Sequence, residues 1–366
     1  MLLILTLRNP LVSVYAETGT EQILLAVEQY MAALRDVGKP VEFVLADNAL
    51  SMAQLGLDPL MTFTPAALSR TIRELRARLS PVTAVLLLGG DRIVPYWRIF
   101  NPVTDRTIDP DPFVLSDNPY AANDDDYESW LAPELSIGRI PDGGAASAAE
   151  FIEFLRAAIE NHIQRSPRSG SCAIVNEEWR EVSIRAASTM PAPVDWHFAP
   201  SYLVSSDNAA DLSRRWIFVN LHGFDTEPSW HGYDTFNDRF VAALTIHSFH
   251  SRSISGATVF CANCYGAQIA GKSTATSCAL LALREGAASF VGSTGLAFGS
   301  FLNPGTIPIH SDRLASLFFE NMASGESSGR SLQMARTKYL DEVDRDNPFE
   351  QKTALQFTLL GDPTLT

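Results

Sequence analysis

Ala257-Thr258-Val259-Phe260-Cys261-Ala262-Asn263-Cys264-Tyr265-Gly266-Ala267 is an apolar run that closes on a small-residue turn. A run without alternation reads as a strand buried on both faces of a parallel sheet. Upstream, Trp216-Ile217-Phe218-Val219-Asn220-Leu221-His222-Gly223 reads the same way and stops at a histidine followed by glycine. Two such strands ending at one sheet edge set His222 beside Cys264. Open α/β sheets place their binding sites at that edge. A thiol beside an imidazole is a usable nucleophile.

The rest of the chain alternates in the same manner. Val82 to Gly89 is a third continuous apolar strand, and Val41 to Leu45, Leu135 to Ile140, Cys172 to Val175, a segment near Trp196 and Ala288 to Gly292 are shorter ones. Glu21 to Arg35 carries apolar residues at helical spacing. Thr64-Pro65 has the cap and first-turn chemistry of a helix start, running towards Leu79. Further helices are expected over Ser147–Ile163, Thr276–Glu285, Ser311–Ala323 and Gly329–Glu342. Asn101 to Ala132, rich in Pro, Asp and Asn, reads as a long loop. This order predicts an α/β fold, a mostly parallel sheet with helices on both faces. Residues 1–165 are expected to form an N-terminal α/β sub-domain and 166–366 the catalytic one, tightly packed or as one unit.

Composition bounds the function. The 366 residues are 46% hydrophobic and 19% charged, as in a globular protein. A net charge of -14 argues against a nucleic-acid surface and for basic partners or substrates. Four cysteines (Cys172, Cys261, Cys264, Cys278) are too few for a disulfide framework. Met1 to Leu7 is apolar but short and lacks a basic flank, so it reads as a strand and not a signal peptide. No run is long enough for a membrane helix. The expectation is a cytoplasmic protein with no membrane and no nucleic-acid partner.

Four ordered segments carry a resemblance. They are Leu86-Leu87-Leu88-Gly89-Gly90-Asp91 with Ile93-Val94-Pro95; Ser116-Asp117 and Tyr120, then Pro133-Glu134-Leu135-Ser136-Ile137-Gly138-Arg139-Ile140-Pro141; the pair His222-Gly223 and Cys264-Tyr265-Gly266; and Leu359-Leu360-Gly361-Asp362-Pro363. Together they resemble the gingipain-type cysteine peptidases, within the caspase-like fold. Where that family often has Gly-His-Gly, Leu221 replaces the first glycine.

The resemblance implies a cysteine endopeptidase with Cys264 as nucleophile and His222 as proton shuttle, acting on a polypeptide without a required cofactor. The N–H groups of Gly223 and Cys264 are the candidate oxyanion donors. The resemblance also places the acidic turn Asn123-Asp124-Asp125-Asp126-Tyr127-Glu128 near the primary specificity pocket, where a carboxylate would favour cleavage after a basic residue. It makes Ser293, Thr294 and Phe298 a pocket wall. Trp230 and His231 follow the catalytic histidine and are expected to shape the cleft, with His231 as the reserve base. A solvated acidic loop and a structural calcium bound by that turn with Asp105, Asp109, Asp111 and Asp117 are the other readings of the acidic residues.

Two rival functions stand beside the peptidase. One is a catalytically inactive caspase-like protein that uses the cleft to bind or scaffold a partner. The other is a dithiol oxidoreductase using Cys261 and Cys264 as a C-x-x-C pair. An activating protein partner is a further expectation for the peptidase.

Overall fold

The apolar runs form strands because β-branched and aromatic residues fill both faces of a sheet that helices cover. The computed structural model describes residues 1–79, 81–163, 168–203, 209–249, 253–300 and 308–366. Its strands are β1 (Leu2–Thr6), β2 (Val41–Leu45), β3 (Ala84–Leu88), β4 (Trp97–Phe100), β5 (Phe113–Ser116), β6 (Ser136–Ile140), β7 (Ser171–Asn176), β8 (Val194–Ala199), β9 (Trp216–Asn220), β10 (His222–Gly223), β11 (Ser229–Asp234), β12 (Arg239–Thr245), β13 (Thr258–Cys261), β14 (Ser289–Ser293) and β15 (Phe357–Gly361). Ten of them make one sheet in the order β2-β1-β3-β6-β15-β14-β13-β9-β7-β8. This is the mostly parallel, helix-flanked sheet that the sequence predicts.

The sheet consists of two parallel blocks. β2, β1, β3, β6 and β15 run one way. β14, β13, β9, β7 and β8 run the other way, and the blocks meet at the antiparallel pair β14–β15. The carboxyl ends of β9 and β13 therefore share an edge with each other but not with β3. The expected boundary at residue 165/166 lies outside the described residues.

Alternation along one strand feeds two cores. Val259 and Cys261 of β13 face a cluster with Leu280 and Leu283 of the helix Cys278–Arg284 and Phe154 of the helix Ala148–Ile163. Phe260 faces the opposite cluster, with Phe318 and Phe319 of the helix His310–Ala323 and Tyr339 of the helix Ser328–Glu342. Truncating a buried phenylalanine such as Phe260 to alanine costs about 3–5 kcal/mol.

Several elements depart from the sequence expectation. The first helix spans Arg8–Asp36 with a break at Ala16, whose φ is 55°. The segment expected as a long loop contains β5, paired antiparallel with β4, because Phe113-Val114-Leu115 has strand character between its prolines and aspartates. The hairpin β11–β12 and the helix Pro348–Gln356 were not anticipated. That helix carries a cap, with Asn347 accepting from Phe349 N–H, and Pro348 in its first turn.

Two of the segments that carry the resemblance converge on one buried side chain. Arg139 is fully buried and donates to both Asp117 oxygens, to Gly89 O and to Val94 O, the last two at 2.7 Å. Its guanidinium lies 4.2 Å from the Tyr96 ring centroid, and Tyr120 O–H donates to Pro95 O. These residues are an internal tie between β3, β6 and the segment after β5. Among the described residues no helix is long and apolar enough to cross a membrane.

Candidate active site

β9 and β13 are neighbours, with Val219 opposite Cys261. His222 and Cys264 lie equal steps beyond those partners. The crossing is sealed by Ala262 N–H donating to Val219 O at 2.8 Å and by Leu221 N–H donating to Asn263 Oδ1 at 2.7 Å. Gly223 is required by close approach, since a Cβ there would stand 2.0 Å from Cys264 O. His222, Cys264, Leu221 and Ala262 line one cavity of about 320 Å³, together with Glu178, Trp179, Val182, Asn220, Ala297, Gly299, Ser300, Ser311 and Asp312.

His222 is half-buried in an aromatic nest. Its ring centroid is 4.4 Å from that of Trp179 and 4.9 Å from that of Phe240, the latter edge-on. The Asn176 amide lies 3.4 Å from Nε2. Asn176 Oδ1 accepts from Tyr233 N–H at 2.9 Å, which turns the amide NH₂ towards the imidazole. Burial, and after it the neighbouring His231, bring the His222 pKa down to about 4.

Cys264 is half-buried. Its sulfur accepts from Ala297 N–H at 3.3 Å and lies 3.4 Å from Ala297 O. Burial pushes its thiol up; the Ala297 N–H and Lys352 act against that, and Asp111 with it. The resting pair is thus a neutral thiol and a neutral imidazole, and the proton must leave sulfur during attack. The residue after the sulfur, Tyr265, has φ 55°. A left-handed conformation at a residue other than glycine costs about 1–2 kcal/mol and needs neighbours to hold it.

The other residues singled out from the sequence sit elsewhere. Asp124, Asp125 and Asp126 do not line the cavity; Asp125 pairs with Arg73 at 2.8 Å, and Asp126 precedes the helix Tyr127–Leu131. The carboxylates that line it are Glu178 and Asp312. Ser293 and Thr294 are buried and turned away, their hydroxyls donating to Gly295 O and Leu115 O. Phe298 packs edge-on to Phe349 at 4.8 Å, while its neighbours Ala297 and Gly299 form the wall. Trp230 is core, packed near Phe249 and Phe290. His231 stands opposite His222 across β10–β11, with Nε2 3.3 Å from Glu227.

The aspartates weighed as calcium ligands are held by cations or local turns. Asp109 and Asp111 pair with Lys352, Asp117 with Arg139, and Asp105 accepts from Thr107. Among the described residues no three His, Cys, Asp or Glu side chains are grouped to hold a metal ion. Cys261 is fully buried, and burial raises its thiol pKa well above the ordinary range. Asn176, Trp179, Phe240 and Asp312 were not read from the sequence. Asn176 ends β7, the neighbour of β9, and Trp179 follows it, so the same strand-end rule would have reached them.

The model of peptidase family C25 matches residues 15–366. Among solved structures, the Arg-specific cysteine proteinase gingipain R (RgpB) is 12% identical, with a TM-score of 0.64 covering 100% of this chain and 77% of its own. The complex of Porphyromonas gingivalis RgpB pro- and mature domains is 13% identical, with a TM-score of 0.66 covering 100% of this chain and 79% of its own. At such identities the structural likeness concerns the fold. Among curated proteins none matches the sequence significantly. With the family model spanning almost the whole length, the chain belongs to peptidase family C25 and is a cysteine-type peptidase acting on polypeptides.

Proposed function

We propose that the chain is a cysteine endopeptidase in which Cys264 attacks the scissile carbonyl and His222 carries the proton. The observation that supports this most is that both side chains line one cavity at the carboxyl ends of adjacent strands. Attack joins sulfur to the carbonyl carbon while His222 takes the thiol proton. The proton then passes to the leaving amine, giving a thioester that water hydrolyses. The N–H groups of Gly223 and Cys264 remain the candidate oxyanion donors.

A preference for a basic residue before the cleaved bond fits the cavity. Glu178 and Asp312 line it, and among the described residues no Lys or Arg does. Asp312 is buried, accepts from Asn220 and from Ser300 N–H, and burial raises its pKa. Glu178 is exposed, so it supplies the charge. Trp179 and Val182 would flank the aliphatic stem of an Arg or Lys.

A positional peptide-library digest tests both parts. Cys264→Ala and His222→Ala should each lower kcat by on the order of 10⁴-fold or more while leaving folding intact. Glu178→Gln should weaken the preference for Arg and Lys by up to about fivefold, the worth of a partly exposed ion pair. Cleavage by Cys264→Ala at the unaltered rate sinks the dyad; a library profile without basic preference sinks the pocket assignment.

The inactive-scaffold reading draws on the neutral state of the pair, which is less activated than a thiolate–imidazolium. Iodoacetamide separates the two. Selective alkylation of Cys264 over Cys172, Cys261 and Cys278 favours the enzyme, whereas equally slow labelling of all four favours the scaffold.

A further inference from the structure

Asp111 lies in the segment between β4 and β5, distant in sequence from both strands that carry the dyad, yet its carboxylate reaches the Tyr265 side chain on one side of the Cys264 sulfur and the Leu296 backbone on the other. Oδ1 accepts from Tyr265 O–H at 3.0 Å. Oδ2 accepts from Leu296 N–H at 2.7 Å. Tyr265 directly follows Cys264 and sits at φ 55°. Leu296 directly precedes Ala297, whose N–H points at the sulfur from 3.3 Å. Tyr265 N–H in turn donates to Gly295 O at 2.8 Å, closing the two flanks on each other.

The carboxylate is itself held in place. Lys352, fully buried, approaches Asp111 Oδ2 at 3.3 Å and also donates to Asp109. Asp111 O accepts from Asn101 Nδ2 at 2.9 Å and from Arg106 Nη1 at 2.8 Å, so the segment is locked from within. Gly295 has no side chain where the carboxylate passes: a Cβ there would stand 2.6 Å from Oδ2. A surface loop has no need of a buried lysine, a carboxylate with both oxygens engaged and a cleared glycine. These features together are what a fixed anchor point requires.

We propose that Asp111 is a positioning residue for the nucleophile: one carboxylate, balanced by Lys352, holds both peptide segments that flank the Cys264 sulfur. The inference rests on the reading of Cys264 as nucleophile. Asp111 touches no reacting atom; it keeps Tyr265 in its left-handed conformation and keeps the Ala297 N–H aimed at sulfur.

The test compares Asp111→Ala, Asp111→Asn and Tyr265→Phe in the full chain, with kcat counted per titratable thiol. A misplacement near 1 Å lowers turnover by as much as about 10²-fold, so Asp111→Ala should lose about 10–100-fold in kcat with KM little changed. Asp111→Asn keeps an acceptor for one flank and should lose less. Tyr265→Phe cuts only the hydroxyl arm and should lose least. A second readout needs no turnover: the pH dependence of Cys264 alkylation by iodoacetamide should shift in Asp111→Ala. Unchanged kcat and an unchanged alkylation curve overturn the proposal. Should Asp111→Ala not fold, the same two measurements on Tyr265→Phe decide it. A Cys264→Ala variant that still cleaves removes the nucleophile reading and this inference with it. A dead Cys264→Ala beside a fully active Asp111→Ala removes this inference alone.

Discussion

Ionisation of a single ring sets how this site should respond to pH. Burial and His231 depress the His222 pKa to about 4, while burial raises the Cys264 thiol. The neutral imidazole is the form that accepts a proton. Activity should therefore persist as pH falls through the ordinary histidine range near 6.5 and fail only around pH 4. A kcat/KM profile with its acid limb near 6.5 would contradict this. Alkylation of Cys264 should still be rising at pH 9, because the thiolate form is displaced upward. Cys261, sealed in the core, should resist alkylation in the folded protein, and Cys261→Ala should keep most of the activity. Loss of all activity there would revive the dithiol reading. At this scale the thiol and the imidazole were legible from sequence, since each closes a continuous apolar strand. The acidic turn was not, because the partner that takes Asp125 is Arg73 on the helix Pro65–Arg78, and no local pattern announces that pairing.

Among the elements, the β11–β12 hairpin makes the largest unanticipated contribution to the site. It folds back so that His231 faces His222, and Phe240 presents its edge to His222 and to Phe224, 5.1 Å away. Phe240 is only half covered, yet it forms part of the nest that keeps the imidazole neutral. Phe240→Ala should admit water, raise the His222 pKa from about 4 and move the acid limb of the profile upward. The expected loss of kcat is several-fold, and an unmoved acid limb would show that burial by the hairpin is not the cause. The hairpin escaped detection because its strands interleave small and polar residues (Gly232, Asp234, Ala242) with aromatics, and only pairing with β10 makes them a sheet. The helix Pro65–Arg78 was legible because Thr64 caps it locally; the helix Cys278–Arg284 begins two residues later than the expected Thr276, because Ser277 caps it.

Across the whole molecule, the two strand blocks are joined by β15 and by the turn that follows it. Asp362 in that turn is buried; it accepts from Tyr30 O–H of the first helix and meets His162 Nε2 at 2.6 Å. Burial alone would raise its pKa, but the His162 and Tyr30 hydrogen bonds outweigh that and bring it down to about 2. A carboxylate with a folded pKa below its unfolded value stabilises the fold above the unfolded pKa and loses that effect as pH falls through the folded one. The contribution is on the order of 2 kcal/mol, complete above about pH 5 and gone below about pH 2. Asp362→Ala should lower Tm at pH 7 by more than it does at pH 2, measured by thermal denaturation. Equal shifts at both pH values would rule out the carboxylate charge as the source.

What the sequence determined by itself is local and periodic: buried strands from unbroken apolar runs, helix starts from caps, a cysteine and a histidine at strand ends, and the order of segments that marks the family. Only the tertiary structure decided that the strand blocks run in opposite directions, that Arg139 gathers two of the family-like segments into a core tie, and that Asn176 and Trp179 lie against His222 and Asp111 against the residues flanking Cys264, while the acidic turn does not line that cavity. The physical reason is that periodicity reports which face of an element is buried. Which charged or aromatic side chain comes to lie against it is set by contacts between residues far apart in the chain, and these leave no trace in local spacing.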